Sequence, residues 1–180
     1  MNKKAIELSV NFIVILIIAL TVFSFGIKLS YDLMSHAEDI REDVDESTQR
    51  EIEAALTGGN IVSIPINHKE SKIGKSVTFG LGIFNIEDTQ MFTIEMHFES
   101  AYNLKSKAEI PVNGEGWILS EYGPYEIIRN TQKILALPIR IPRNVAEGKT
   151  PPGIYSFNVE VKDQSGLRYG ALQKVRVTVI

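Results

Sequence analysis

Twenty consecutive residues, Leu8 to Ile27, carry no charge. Wound as one α-helix they would be about 30 Å long, the thickness of a bilayer's hydrocarbon core. The run predicts a transmembrane helix over 8–27 behind a short cytoplasmic segment, 1–7. A removable secretory leader has a shorter apolar region, about 7–15 residues, and a small-x-small cleavage site that closes it. Here Thr21, Ser24 and Gly26 are small, but the apolar run passes through them, so an anchor that stays is the expectation. Lys3 and Lys4 precede the run, and an acid-rich stretch follows Lys28. That asymmetry places the N-terminus in the cytoplasm and everything after about Ser30 outside it, as a single-pass protein of the cell membrane.

The helical pattern does not stop at residue 27. Leu29, Leu33, Ala37, Ile40, Val44, Thr48, Ile52 and Leu56 recur at steps of three and four, one face of a helix, and Gly58-Gly59 supplies a stop signal. The spacing predicts an amphipathic acidic stalk over 28–57, continuous with the membrane span and about 75 Å long in total. Its apolar stripe has two readings: it lies against the chain's own distal domain, or it pairs with a neighbouring copy as a coiled coil. The acidic residues between Glu38 and Glu53 read as a solvated face. A cation- or partner-docking surface is the alternative, although no calcium-loop pattern is present.

The net charge of −3 is unevenly spread. Residues 1–53 hold five Lys/Arg against ten Asp/Glu, and the remainder holds fourteen against twelve, so no basic footprint for nucleic acid exists. There is no cysteine, which excludes a thiol nucleophile and leaves a distal domain dependent on its core. From residue 60 onward the period changes to two. The segments "NIVSIPIN", "SVTFGLGIFNI", "MFTIEMHFES", "QKILALPIRIP", "GIYSFNVEVKD" and "QKVRVTVI" are rich in β-formers and separated by turn chemistry. They predict an antiparallel two-layer sandwich over 60–180, with one or two further strands hidden between Ala101 and Asn130. The fold class expected is mainly β with one long N-terminal α-helix: transmembrane helix, helical stalk, then sandwich.

Two resemblances attach to these residues. "GKSVTFGLGIFNIEDTQMFTIEM" followed by "ILALPIRIPRNVAEGKTPPGIYSFNVEVKD" resembles the immunoglobulin-like modules of archaeal and bacterial surface proteins, over about 120 residues at the level of pattern. The resemblance implies an Ig-like sandwich with an adhesive, structural or accessory role. Within it Gly153 frees a turn, and Tyr155, Phe157, Val159 and Val161 fall on one strand face to fill the inter-sheet core. "KKA" before an uncharged helix resembles the class III signal of archaeal pilins and pilin-like proteins. That resemblance implies cleavage at Lys4, Ala5 and Ile6, between the last two, and a helix able to polymerise. It departs from the bacterial type, because Glu7 would be the second mature residue rather than the fifth.

Chemistry-bearing motifs are sparse. Gly74-Lys75-Ser76 lacks the leading glycine of a phosphate-binding loop and reads as a hairpin turn; Gly80 and Gly82, inside a strand, read as a bulge or a close backbone approach. His36, His68 and His97 share no metal-ligand spacing, and no cofactor or metal site is expected. Tyr102, Trp117, Tyr122 and Tyr125 form the candidate interaction surface, for a protein or glycan partner; the competing reading makes Trp117 a core residue and the tyrosines turn flanks. The function expected is a non-enzymatic, membrane-anchored envelope protein presenting its sandwich for interaction. The alternative is a pilin-like subunit of a type IV pilus-like or archaellum-like filament, processed after Ala5. The partners expected are the lipid bilayer, other copies through the N-terminal helix, and an unidentified protein or glycan.

Overall fold

A computed structural model describes residues 15–23, 44–119, 121–146 and 148–180. The chain divides into two compact units, Met1–Arg41 and Glu42–Ile180. In the first, residues 15–23 are helical (α1) and every one of them is exposed. Among the described residues no helix is long and apolar enough to cross a membrane. The expectations of one long N-terminal helix, of a transmembrane segment and signal-anchor over 8–27, and of a single-pass membrane location with an extracytoplasmic domain are corrected accordingly. The rest of that span and most of the stalk, 8–14 and 24–43, lie outside the described residues, as do His36 and the processing residues Lys4, Ala5 and Ile6.

The helix expected to run unbroken to residue 57 is interrupted at Asp45. The next helix, α2, covers Glu46–Thr57, and Asp45 is its N-cap, with an extended backbone (φ −58°, ψ 152°). Its carboxylate accepts from the Ser47 hydroxyl (2.6 Å), the Thr48 N–H (2.9 Å) and the Thr48 hydroxyl (2.8 Å). A residue so capped starts a helix and cannot lie inside one, because its side chain occupies the donors that a preceding turn would use. These bonds, the Ser47 hydroxyl foremost, hold the Asp45 carboxyl well below the usual carboxylate range. A depressed folded pKa contributes stability above the ordinary carboxylate value of about 4, and that stability is lost as pH falls through the folded value. Asp45→Ala is therefore expected to melt below the parent at neutral pH, with the gap closing in acid. A gap unchanged between pH 7 and pH 2 would show that the charge of the cap contributes nothing.

The second unit is mainly β. Its strands are β1 (Val62–Ser63), β2 (His68–Ser71), β3 (Ser76–Phe84), β4 (Gln90–Tyr102), β5 (Glu121–Ile127), β6 (Gln132–Arg140), β7 (Asn144–Val145), β8 (Gly148–Lys149), β9 (Gly153–Lys162) and β10 (Gln173–Val179). They form a three-stranded sheet, β1-β3-β6, a five-stranded sheet, β2-β10-β9-β4-β5, and a small ribbon, β7-β8. All pairings are antiparallel except β2 with β10, which is parallel. Period-two alternation drives one face of each long strand inward: Val77, Phe79, Leu81 and Ile83 from β3 meet Tyr155, Phe157, Val159 and Val161 from β9 in one core. Gly74 does turn the chain, at φ +81°. The strands on either side of it belong to different sheets, however, so it closes a crossing between layers and not a hairpin.

The outward faces of the two sheets differ. On the five-stranded sheet the outer side chains are charged and paired across strands, Glu95 with Lys162 at 2.6 Å and Glu99 with Lys174 at 2.6 Å. Outward on β3 stand Gly80 and Gly82, and α2 lies over them. Thr48, Ile52 and Leu56, spaced four apart, are the buried face of that helix. A Cβ at Gly80 would stand 2.7 Å from Ile52 Cδ1 and 2.8 Å from Val44 Cγ1, and one at Gly82 would overlap Ile52 Cγ2. The two glycines are a close backbone approach, and the apolar stripe from Val44 to Leu56 seals the chain's own sheet.

Candidate functional site

The concave feature that gathers a sequence-predicted residue lies between the segments 111–117 and 142–146. It is a half-open cleft of about 350 Å³, walled by Pro111, Val112, Pro142 and Val145, with Trp117 at its floor and Asn113 and Asn144 at its rim.

Its first wall is built by a bulge. The register of β4 against β9 shifts between Phe98 and Ser100. The Phe98 N–H is bonded by the Glu115 carboxylate at 2.9 Å, and Asn113 Oδ1 accepts the Glu115 N–H at 2.9 Å. Glu115–Trp117 forms a single 3₁₀ turn, and Gly114 lets it press against Phe98, where a Cβ would come 2.6 Å from the ring. The turn thus delivers Trp117 inward, its ring 4.5 Å from that of Tyr155 and 6.5 Å from that of Phe157. Tyr155 is itself fixed, its hydroxyl donating to the Pro151 carbonyl at 2.6 Å. Burial pushes its phenol up to about 12, so it stays a neutral donor.

The second wall is the start of the β7-β8 ribbon. Thr150 closes it, its hydroxyl donating to the Pro142 carbonyl at 2.6 Å and its N–H to the Arg143 carbonyl at 3.2 Å. Proline on both walls and a tied ribbon leave few torsions free, so an occupant would meet a preformed surface.

The four aromatic candidates separate. Trp117 is 5 % exposed and Tyr122 9 %, both in the core. Tyr122 sends its hydroxyl toward the Pro138 carbonyl at 3.5 Å, and burial raises its pKa to about 12. Tyr125 is half-buried beneath Lys133, whose Nζ is 5.0 Å from the ring centroid, and Tyr102 is exposed at the end of β4. Only Trp117 lines the cleft, and its ring, packed on Tyr155, is almost wholly covered. Val112, Pro111, Pro142 and Val145 were not singled out by sequence. Their one advance signal is the "IP" dipeptide Ile141-Pro142, which follows the alternating segment "QKILALPIR".

The described histidines are apart: His68 bonds the Thr178 hydroxyl at 2.8 Å, and His97 stands 3.6 Å from Glu95. Among the described residues no group of three or more His, Asp or Glu could hold a metal ion.

No family model matches the chain, and no curated protein sequence matches it. Similar solved structures include a family 123 glycoside hydrolase from Clostridium perfringens, with a TM-score of 0.43 and 15 % identity, covering 74 % of this chain and 25 % of that one. A PapD-like domain of human CEP192 has a TM-score of 0.42 and 10 % identity, covering 67 % of this chain and 86 % of that domain. The periplasmic chaperone SfaE has a TM-score of 0.39 and 10 % identity, covering 66 % and 56 %. Likeness at this level carries nothing about what this chain does.

Proposed function

We propose that the domain from Glu42 to Ile180 is a non-enzymatic interaction module that seats an apolar segment of a partner protein in the Trp117 cleft. The observation that supports this most is the lining: prolines and valines on both walls over an indole held from behind. Such a surface gains from excluding water around an apolar side chain. A glycan is the poorer fit, because stacking on a sugar needs an open ring face and Trp117 is only 5 % exposed. The polar rim, Asn113 and Asn144, offers amide groups to a partner backbone.

A photoreactive residue in place of Val145, in the cells that make the protein, is expected to trap one dominant protein. The same residue at the exposed Ser106 should not trap it. Val145→Asp should weaken binding of the trapped protein about tenfold or more, since a carboxylate facing an apolar occupant is desolvated without a partner. Equal trapping from both positions, or no trapping from Val145, would overturn the reading.

A further inference from the structure

We infer that β6 is a docking edge, independent of the cleft, which accepts an extended, acid-flanked segment of another protein by strand addition. β6 ends the three-stranded sheet, with β3 on one side and, among the described residues, no strand on the other.

The phase of its hydrogen bonding can be read from both ends. At one end the Asn85 N–H donates to the Thr131 carbonyl at 3.0 Å; at the other the Ile141 N–H donates to the Lys75 carbonyl at 2.9 Å. Between them the register is unbroken from Phe84 opposite Gln132 to Ser76 opposite Arg140. Antiparallel pairs alternate between bonded and non-bonded. It follows that Gln132, Ile134, Ala136, Pro138 and Arg140 turn their backbone polar groups away from β3. Two further contacts agree with this phase: Lys69 Nζ donates to the Thr78 carbonyl opposite Pro138, at 2.7 Å, and the Tyr122 hydroxyl reaches the outward Pro138 carbonyl. Proline sits where no N–H is needed for the ladder. Ile134 and Ala136 therefore each present an N–H and a C=O to the open edge.

The other edges are blunted. β1 has two residues and β2 four, and β5 carries Pro124 and a register shift against β4. β6 has nine residues and keeps a straight register. At its N-terminal end a half-open, mainly apolar cavity of about 410 Å³, lined by Leu56, Ile61, Phe84 and Ile86 together with Thr57 and Asn60, opens beside Gln132. An added strand would have room there for one large apolar side chain.

Charge selects the occupant. β6 carries Lys133 and Arg140, and Arg143 follows it, with no acid from Gln132 to Ala146; Arg129, before the strand, is paired with Asp88 at 3.0 Å. A second copy pairing through β6 would double this cationic strip along one seam, and centred on Ala136 it would set Ile134 against Pro138, where one donor is missing. An incoming strand with acidic residues at its ends meets the missing Pro138 donor once instead of twice, and meets opposite charge instead of like.

The test uses the full chain and two synthetic peptides of alternating threonine and valine, one with paired glutamates at each end and one with paired lysines. The glutamate peptide is expected to bind about tenfold more tightly. Ala136→Pro, which deletes an outward N–H without touching the bonds to β3, should weaken that binding about fivefold. The double variant Lys133→Glu, Arg140→Glu, altered only at side chains, should reverse the preference and decides the matter if the proline variant fails to fold. Equal binding of the two peptides, or binding of neither, would overturn the proposal. So would an unchanged preference in the charge-reversed variant, or parental affinity in a folded Ala136→Pro. Dimerisation that Ala136→Pro abolishes would overturn it in favour of a second copy as the occupant.

Discussion

Gly82→Val is expected to destabilise the domain by about 3 kcal/mol, at the upper end of what overpacking a tight interface costs. The new Cβ would overlap Ile52 Cγ2 and stand 3.0 Å from Leu56 Cδ1. β3 has no freedom to recede, because it is paired with β1 on one side and β6 on the other and its opposite face fills the core. The helix must lift instead, returning part of Ile52 and Leu56 to water. Each of those side chains is worth about 1.5–3 kcal/mol when fully buried. Denaturant unfolding measures the loss. Pairing Gly82→Ala with Ile52→Ala supplies the control, since the double variant should lose less than the sum of its parts. Strict additivity would mean that the helix and the strand do not share this space.

The second large effect concerns where the domain begins. A fragment starting at Glu42 is expected to unfold in one cooperative transition, whereas one starting at Gly58 is expected to be unstable at ordinary temperature. Removing α2 uncovers the flat outer face of β3 and deletes the burial of Ile52 and Leu56 together with the Val44 contact. That amounts to about 5 kcal/mol, comparable with the whole stability of a small domain. Circular dichroism melts of both fragments decide the point. Coincident, cooperative melts would reduce α2 to an appendage.

These two cases also show where the sequence was legible and where it was not. β9 could be read from its alternation, because Tyr155, Phe157, Val159 and Val161 are all buried on one side while Ile154, Asn158 and Glu160 are not. β2 could not: only Ser71 of its four residues is buried, and what makes His68–Ser71 a strand is its parallel partner β10. The helical period from Leu29 to Leu56 concealed the boundary at Asp45, because Val44 and Thr48 keep the same spacing on both sides of the cap. The run "DEST" carried a helix-start signal, and periodicity outweighed it. Gly80 and Gly82 were readable as a close approach, but not which element approached. The cleft was beyond reach altogether, since its walls are some thirty residues apart and the inward turn of Trp117 depends on Phe98, Glu115 and Tyr155 together.

The contact between α2 and β3 has a consequence for how the chain can vary. A fixed volume is shared there between two elements, and the strand has surrendered its whole share, since glycine has no side chain left to give up. A methyl group gained at Gly80 or Gly82 must be lost from Val44, Thr48, Ile52 or Leu56. Changes in the strand are therefore conditional on changes in the helix, and positions some thirty residues apart are free to drift only as one.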